Sequence, residues 1–117
     1  MMNKLILAAA AALFSCSAAL ADDPVVTDGD KYVVKFENEK VRVLEYRDLP
    51  GEMTHEHRHP AFVLYAAAPF KRRIALPDGK IIIREFKVGD VLWSEAQTHT
   101  GENIGDTPTH VIMVEMK

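Results

Sequence analysis

Cysteine is nearly absent: Cys16 is the only one in 117 residues. That excludes an internal disulfide, so crosslinks cannot hold this fold together. Basic charge is also short, with 14 Lys and Arg against 17 Asp and Glu and a formal charge of −3 at pH 7. Such a balance displaces few phosphate counterions, and a nucleic-acid partner is not expected. There is no apolar run long enough to cross a bilayer, which takes about 20 residues; "LILAAAAALF" covers only residues 5–14. Internal repeats, low-complexity segments and linkers are missing as well. What remains, 48% hydrophobic and 26% charged, is ordinary composition for one globular domain.

The N-terminus carries a targeting pattern. Lys4 supplies a short positive region, the apolar stretch follows, and "ALA" precedes Asp22. This layout predicts a secretory signal peptide over residues 1–21, cleaved after Ala21, in preference to a buried helix. Residues 22–117 then form the domain, one unit more negative because only Lys4 is lost, and without cysteine. "LFSC" at 13–16 also resembles the lipobox of bacterial lipoproteins, in which Cys16 would be lipidated and anchor the chain to a membrane. Phe14 fits that motif poorly while "ALAD" is a good ordinary cleavage site, so a free periplasmic protein is the expectation. So short a chain must rely on its core, on oligomerisation or on a metal.

The rest reads as strands. "KYVVKFEN" (31–38) and "VRVLEYRDL" (41–49) are rich in β-branched and aromatic residues. In the second, Val41, Val43 and Glu45 share one face and Arg42, Leu44 and Tyr46 the other. "AFVLYAAAPF" (61–70) reads as a strand buried on both faces. "RRIAL" and "KIIIREFK" flank Pro77-Asp78-Gly79, a turn signal. "KVGD" marks another turn before "VLWSE", and "NIGDTP" a loop before "THVIMVEM". Short strands punctuated by Gly and Pro predict an all-β sandwich or barrel.

Three of the five histidines fall in "GEMTHEHRHP" (51–60) at alternate positions: His55, His57 and His59. Alternate strand residues point to one side about 6.6 Å apart, whereas the outer two lie about 13 Å apart. At most two of the three can therefore reach one metal ion, as 55/57 or as 57/59. A solvated His-rich loop is the plainer alternative.

A second stretch, "GDVLWSEAQTHTGEN" (89–103), adds His99 and Asn103. Together the two segments resemble the motifs of the cupin family. The first is Gly51, five residues, then His57-Arg58-His59; the second ends His99-Thr-Gly-Glu-Asn103. The resemblance spans residues 32–117 and is closest to small single-domain cupins, matched here by His57, His59, Pro60, Gly89-Asp90, Thr98-His99, Glu102-Asn103, Gly105, Thr107, Val114-Glu115 and Lys117. It implies an all-β double-stranded β-helix (a jelly-roll barrel) with His57, His59 and His99 as metal ligands and His55 at the rim.

Departures from the family pattern also bear on the chemistry. The Glu usual four or five residues after the second His is replaced by Val63 or Leu64, and the Pro and Gly usual before the third His by Glu95 and Gln97. This leaves a three-His site or a vestigial one, since neither Glu56 nor Glu102 is expected to step in. Three neutral imidazoles leave about +2 on a divalent ion, against about +1 with a carboxylate ligand, and so favour an anionic small-molecule ligand. Ligand type does not distinguish Fe, Mn, Ni or Zn. Tyr65, Trp93 and His110 are candidate pocket residues, the first two because each has a polar tip that needs a partner; for His110 a core or rim place is the plainer reading. Phe36 reads as core, and Lys71-Arg72-Arg73 as a solvated strand end.

The expected function is a periplasmic small-molecule-binding cupin holding a divalent metal through three histidines. The alternatives are a metal-dependent oxidoreductase of the dioxygenase type, acting on a small carboxylate-bearing substrate, and a metal-free accessory protein. No nucleophile or acid–base partner is evident in the sequence. A homodimer paired through "KYVVKFEN" is expected from the need to cover sheet edges, and small cupins commonly pair so.

Overall fold

The computed structural model describes residues 21–117; the expected signal peptide up to residue 20, with Cys16, lies outside the described residues. A single-turn helix α1 (Pro24–Thr27) precedes nine strands: β1 (Tyr32–Glu37), β2 (Val41–Asp48), β3 (His57–His59), β4 (Phe62–Ala66), β5 (Phe70–Ala75), β6 (Ile81–Phe86), β7 (Val91–Ser94), β8 (Gln97–Asn103) and β9 (Thr109–Met116). They form two sheets, ordered β1-β2-β9-β4-β7 and β3-β8-β5-β6. All the pairings are antiparallel. The all-β architecture read from the sequence is the one observed.

Alternation decides which side chains meet between the sheets. In β2 the inward face is Leu44 and Tyr46, both buried, and in β9 it is Val111 and Met113. These close a core with Tyr32, Phe62, Ala66 and Phe70. The Pro77-Asp78-Gly79 turn joins β5 to β6, with Gly79 at φ 86, a left-handed conformation that glycine adopts without a Cβ penalty.

Residues 61–70 differ from the expectation of one strand buried on both faces. The run divides into β4 and the start of β5, which lie in different sheets. Pro69, which cannot donate to a ladder, sits in the crossing. Only Phe62, Ala66 and Phe70 are fully buried there, and Tyr65 points outward. Phe36 is likewise exposed on β1 and not in the core.

The reading of Lys71-Arg72-Arg73 as a solvated strand end is also corrected. Arg72 takes the inward alternation of β5 and is buried. Its guanidinium donates to Asp48 (2.5 Å), Thr109 (3.2 Å) and the Tyr46 hydroxyl (3.2 Å). Asn103 donates to the other oxygen of Asp48 at 3.1 Å. A buried cation persists only when paired and hydrogen-bonded in this way. Gly101 on β8 makes room for it, because a Cβ there would stand 2.7 Å from an Arg72 terminal nitrogen.

The N-terminal segment fixes β3. Asp23 caps α1 by accepting from the Val25 N–H (2.8 Å), and the Asp22 carbonyl accepts from the Arg58 N–H at 2.9 Å. Asp28, also buried, accepts from the backbone N–H of His55.

Candidate metal centre

β3 places His57 and His59 on its inner face, and the register sets His57 directly opposite His99 on β8. All three imidazoles are buried. Their ring centroids lie 4.8 Å (57–59), 4.8 Å (57–99) and 5.3 Å (59–99) apart. One ligating atom from each falls within 4.8 Å of the other two, so the three could hold a metal ion. His55 does not join them. Its side chain is 80% exposed and its Nδ1 lies 3.0 Å from Asp28, on the outer side of the strand start.

The outer nitrogens are each fixed by an acceptor. His57 Nδ1 donates to the His55 carbonyl (2.9 Å), His59 Nδ1 to Glu115 (2.7 Å) and His99 Nδ1 to the Gln97 side-chain oxygen (2.6 Å). With Nδ1 protonated, each Nε2 presents a lone pair, the arrangement that outer acceptors impose on metal-binding histidines. His59 Nε2 is buried without any hydrogen-bond partner. Such an orphan costs about 1–3 kcal/mol if nothing occupies its lone pair, so the residues fit a metal.

Electrostatics favour the neutral form. Burial, followed by the neighbouring His59, pushes the His57 pKa down to about 4. The same causes, with His57 added, push His99 down to about 2. Neutral imidazole is the ligating form. Glu115 is held in turn by Arg42 (2.8 and 2.7 Å), which also pairs with Asp23 at 2.7 Å.

Beside His99 and Gln97 lies a cavity of about 90 Å³ with apolar walls that include Phe62, Phe86 and Leu92, and with Arg72 and Arg84 as its cations. Trp93 borders it, although it is half exposed and donates its indole N–H to Glu95. Tyr65 lines none of the cavities described here, a correction that follows from its outward alternation on β4. His110 borders a different cavity, of about 520 Å³, shared with Asp48, Arg47 and Thr109 but with none of the three clustered histidines. Its Nε2 meets Glu45 at 3.1 Å.

The position of the expected carboxylate ligand is apolar in space as in sequence, since Leu64 packs on the core. Glu56 is exposed, and Glu102 stands near Arg73 (3.9 Å). Reasoning from sequence missed Tyr32, Arg42 and Arg72 as neighbours of the site. Glu115 did carry a signal: it is the one charge in "HVIMVEM", on the inward alternation of Val111 and Met113.

No family model and no curated protein matches this chain. Solved structures do. A cupin domain from Bordetella pertussis matches at 27% identity over 74% of this chain and 91% of its own, with a TM-score of 0.67. A cupin-like protein from Thermotoga maritima matches at 27% identity over 73% and 65%, with a TM-score of 0.55. Oxalate decarboxylase from Bacillus subtilis, a protein with Mn(II) centres, matches at 25% over 65% and 21%, with a TM-score of 0.50. Two antiparallel sheets enclosing a three-histidine cluster define a double-stranded β-helix with a candidate metal site. The fold is that of cupin, double-stranded β-helix domains.

Proposed function

We propose that this cupin is an exported protein that binds a small anionic molecule at a divalent metal held by His57, His59 and His99. The observation that carries this reading is the convergence of three Nδ1-anchored imidazoles, one with an orphaned buried Nε2. Without a carboxylate ligand the ion keeps about +2, and Arg84 adds positive charge to the adjoining cavity, where Arg72 is paired with Asp48. An anion is the complementary guest. Three protein ligands leave coordination positions open, which also supports a metal-dependent oxidoreductase on a small carboxylate. Binding is the reading preferred here, because among the described residues no carboxylate or nucleophile joins the cluster.

Export follows from the N-terminal pattern. Cleavage after Ala21 keeps within the domain both Asp22, bonded to Arg58, and Asp23, paired with Arg42. Protein purified from its native periplasm is expected to have an intact mass that starts at Asp22, about one divalent ion per chain, and a small acid identifiable by mass spectrometry. A lipid-bearing Cys16 terminus would overturn the localisation. Metal-free native protein would favour the accessory reading.

The outer face of the five-stranded sheet calls for a second copy of the chain. Following the register across it, one row is Val33, Glu45, Ile112, Tyr65, Val91 and the next Phe36, Val43, Val114, Val63, Trp93. The polar residues at one end neutralise one another, with Glu45 meeting His110 at 3.1 Å and Arg47 at 3.7 Å. Five strands at about 4.8 Å spacing and about five residues of length give a footprint of roughly 400 Å², at the size of large functional patches on monomers. That is about half of the roughly 800 Å² per partner of a standard interface, so the β1 edge would have to contribute as well. These features favour a dimer contact on the sheet face, in addition to the β1 edge expected from the sequence. Light scattering is expected to give the dimer mass, and Phe36→Glu together with Val91→Glu the monomer mass with metal binding intact. A monomeric parent protein at tens of micromolar would reject the interface.

A further inference from the structure

We infer that Tyr32 is a specificity-determining residue of this site, donating its hydroxyl hydrogen to whatever ligand atom occupies the open position beside His57. The inference rests on the metal-binding reading above. Tyr32 comes from β1, far in sequence from either histidine motif, and is buried. Its ring is held against Tyr46 (centroids 4.5 Å), His57 (5.5 Å) and His59 (5.7 Å). Its hydroxyl lies 3.4 Å from His57 Nε2. Because His57 Nδ1 already donates to the His55 carbonyl, Nε2 is the acceptor and the phenol the donor.

That hydrogen bond and a metal compete for one lone pair. Once His57 Nε2 ligates an ion, the Tyr32 O–H loses the only side-chain partner that its hydroxyl has among the described residues. A buried hydroxyl left without an acceptor is unfavourable, and a lone pair on the incoming ligand would supply one. The phenol therefore discriminates. It favours carboxylates and other anions that present a lone pair at the bound atom, and disfavours ligands that present hydrogens or apolar groups there.

The test uses the Co(II)-loaded full domain, whose ligand-field spectrum responds to added acetate or azide. Tyr32→Phe keeps the ring and so the packing, which thermal unfolding of the metal-free variant verifies. Co(II) affinity is expected to be equal or higher in the variant, since the competing hydrogen bond is gone. Affinity for acetate or azide is expected to fall by about tenfold or more, as befits a lost hydrogen bond to a charged group. Near-UV spectra of the parent should show no tyrosinate on loading. Equal anion affinity in the two proteins, or tyrosinate formed on loading (Tyr32 then being itself a ligand), would overturn this inference and leave the metal site standing. A parent protein that binds no Co(II) would remove both.

Discussion

Replacing any one of His57, His59 or His99 by Ala is expected to weaken divalent-ion binding by more than about 100-fold. Losses of 10- to 100-fold are usual when only an outer hydrogen-bond partner of a metal ligand is removed, and losing a ligand itself should exceed them. Glu115→Gln tests the lower rung. It keeps an acceptor for His59 Nδ1 but removes the charge that Arg42 and His59 share, so its loss should fall within that smaller range. His55→Ala is expected to change little, because the contribution of His55 to the cluster is its backbone carbonyl, which Ala retains. Calorimetric titration of metal-stripped protein with Fe(II), Mn(II), Ni(II) and Zn(II) at about pH 7.5 measures all five variants under conditions where the imidazoles are neutral. The ion should also raise the melting temperature of the parent protein, since it binds the folded arrangement of β3 and β8. Equal losses for His55 and the other three would indicate an unstructured His-rich loop. No binding stronger than millimolar would leave a metal-free pocket.

The contrast between His55 and His59 shows how far the sequence reaches. Strand spacing alone left 55/57 and 57/59 equally open. The cupin motif favoured the second pair, and the register of β3 against β8 accounts for it: His57 faces His99, whereas His55 precedes the strand and turns to Asp28. The fold class was legible because strand composition and turn residues act locally. Which face of a strand lies inside is not a local property. "VRVLEYRD" alternates equally well in either sense, and only pairing with β9 turns Arg42, Leu44 and Tyr46 inward. Arg72 escaped notice for the same reason. In "KRR" three cations look alike, and what separates the middle one is Asp48, Thr109 and a glycine at position 101, all distant in sequence. Tyr65 misled in the opposite direction, since a polar-tipped aromatic suits a pocket but equally suits an outer sheet face, whereas Trp93 does border the cavity beside His99.

The metal-free protein is expected to lose stability steeply as pH falls from about 6.5 towards 4. His57 is held down to about 4 and His99 to about 2, mainly because burial penalises the charged imidazolium. In the unfolded chain both titrate near 6.5. Above that value neither state binds these protons, and the stability of the buried neutral cluster is fully present. Below it the unfolded chain takes up two protons that the folded one refuses, so acid favours unfolding. Each such proton contributes about 1.4 kcal/mol per pH unit, and the pair gives a slope approaching roughly 3 kcal/mol per pH unit, halving once His57 protonates in the fold. Asp30 and Glu45 are lowered in the fold by hydrogen bonds to Lys31 and His110 respectively, so what they contribute disappears only at more acid pH. Urea unfolding of the metal-free protein at pH 7, 6 and 5 reads the slope directly, and His99→Phe, which cannot take up a proton, should lower it by about half. A saturating divalent ion adds its own stabilisation at pH 7, which acid then removes along with the neutral ligands it needs. Stability that stays flat between pH 7 and 5 would mean that the cluster protonates freely in the folded state. Water would then reach these imidazoles, and burial could no longer be the force that keeps them neutral and ready to bind.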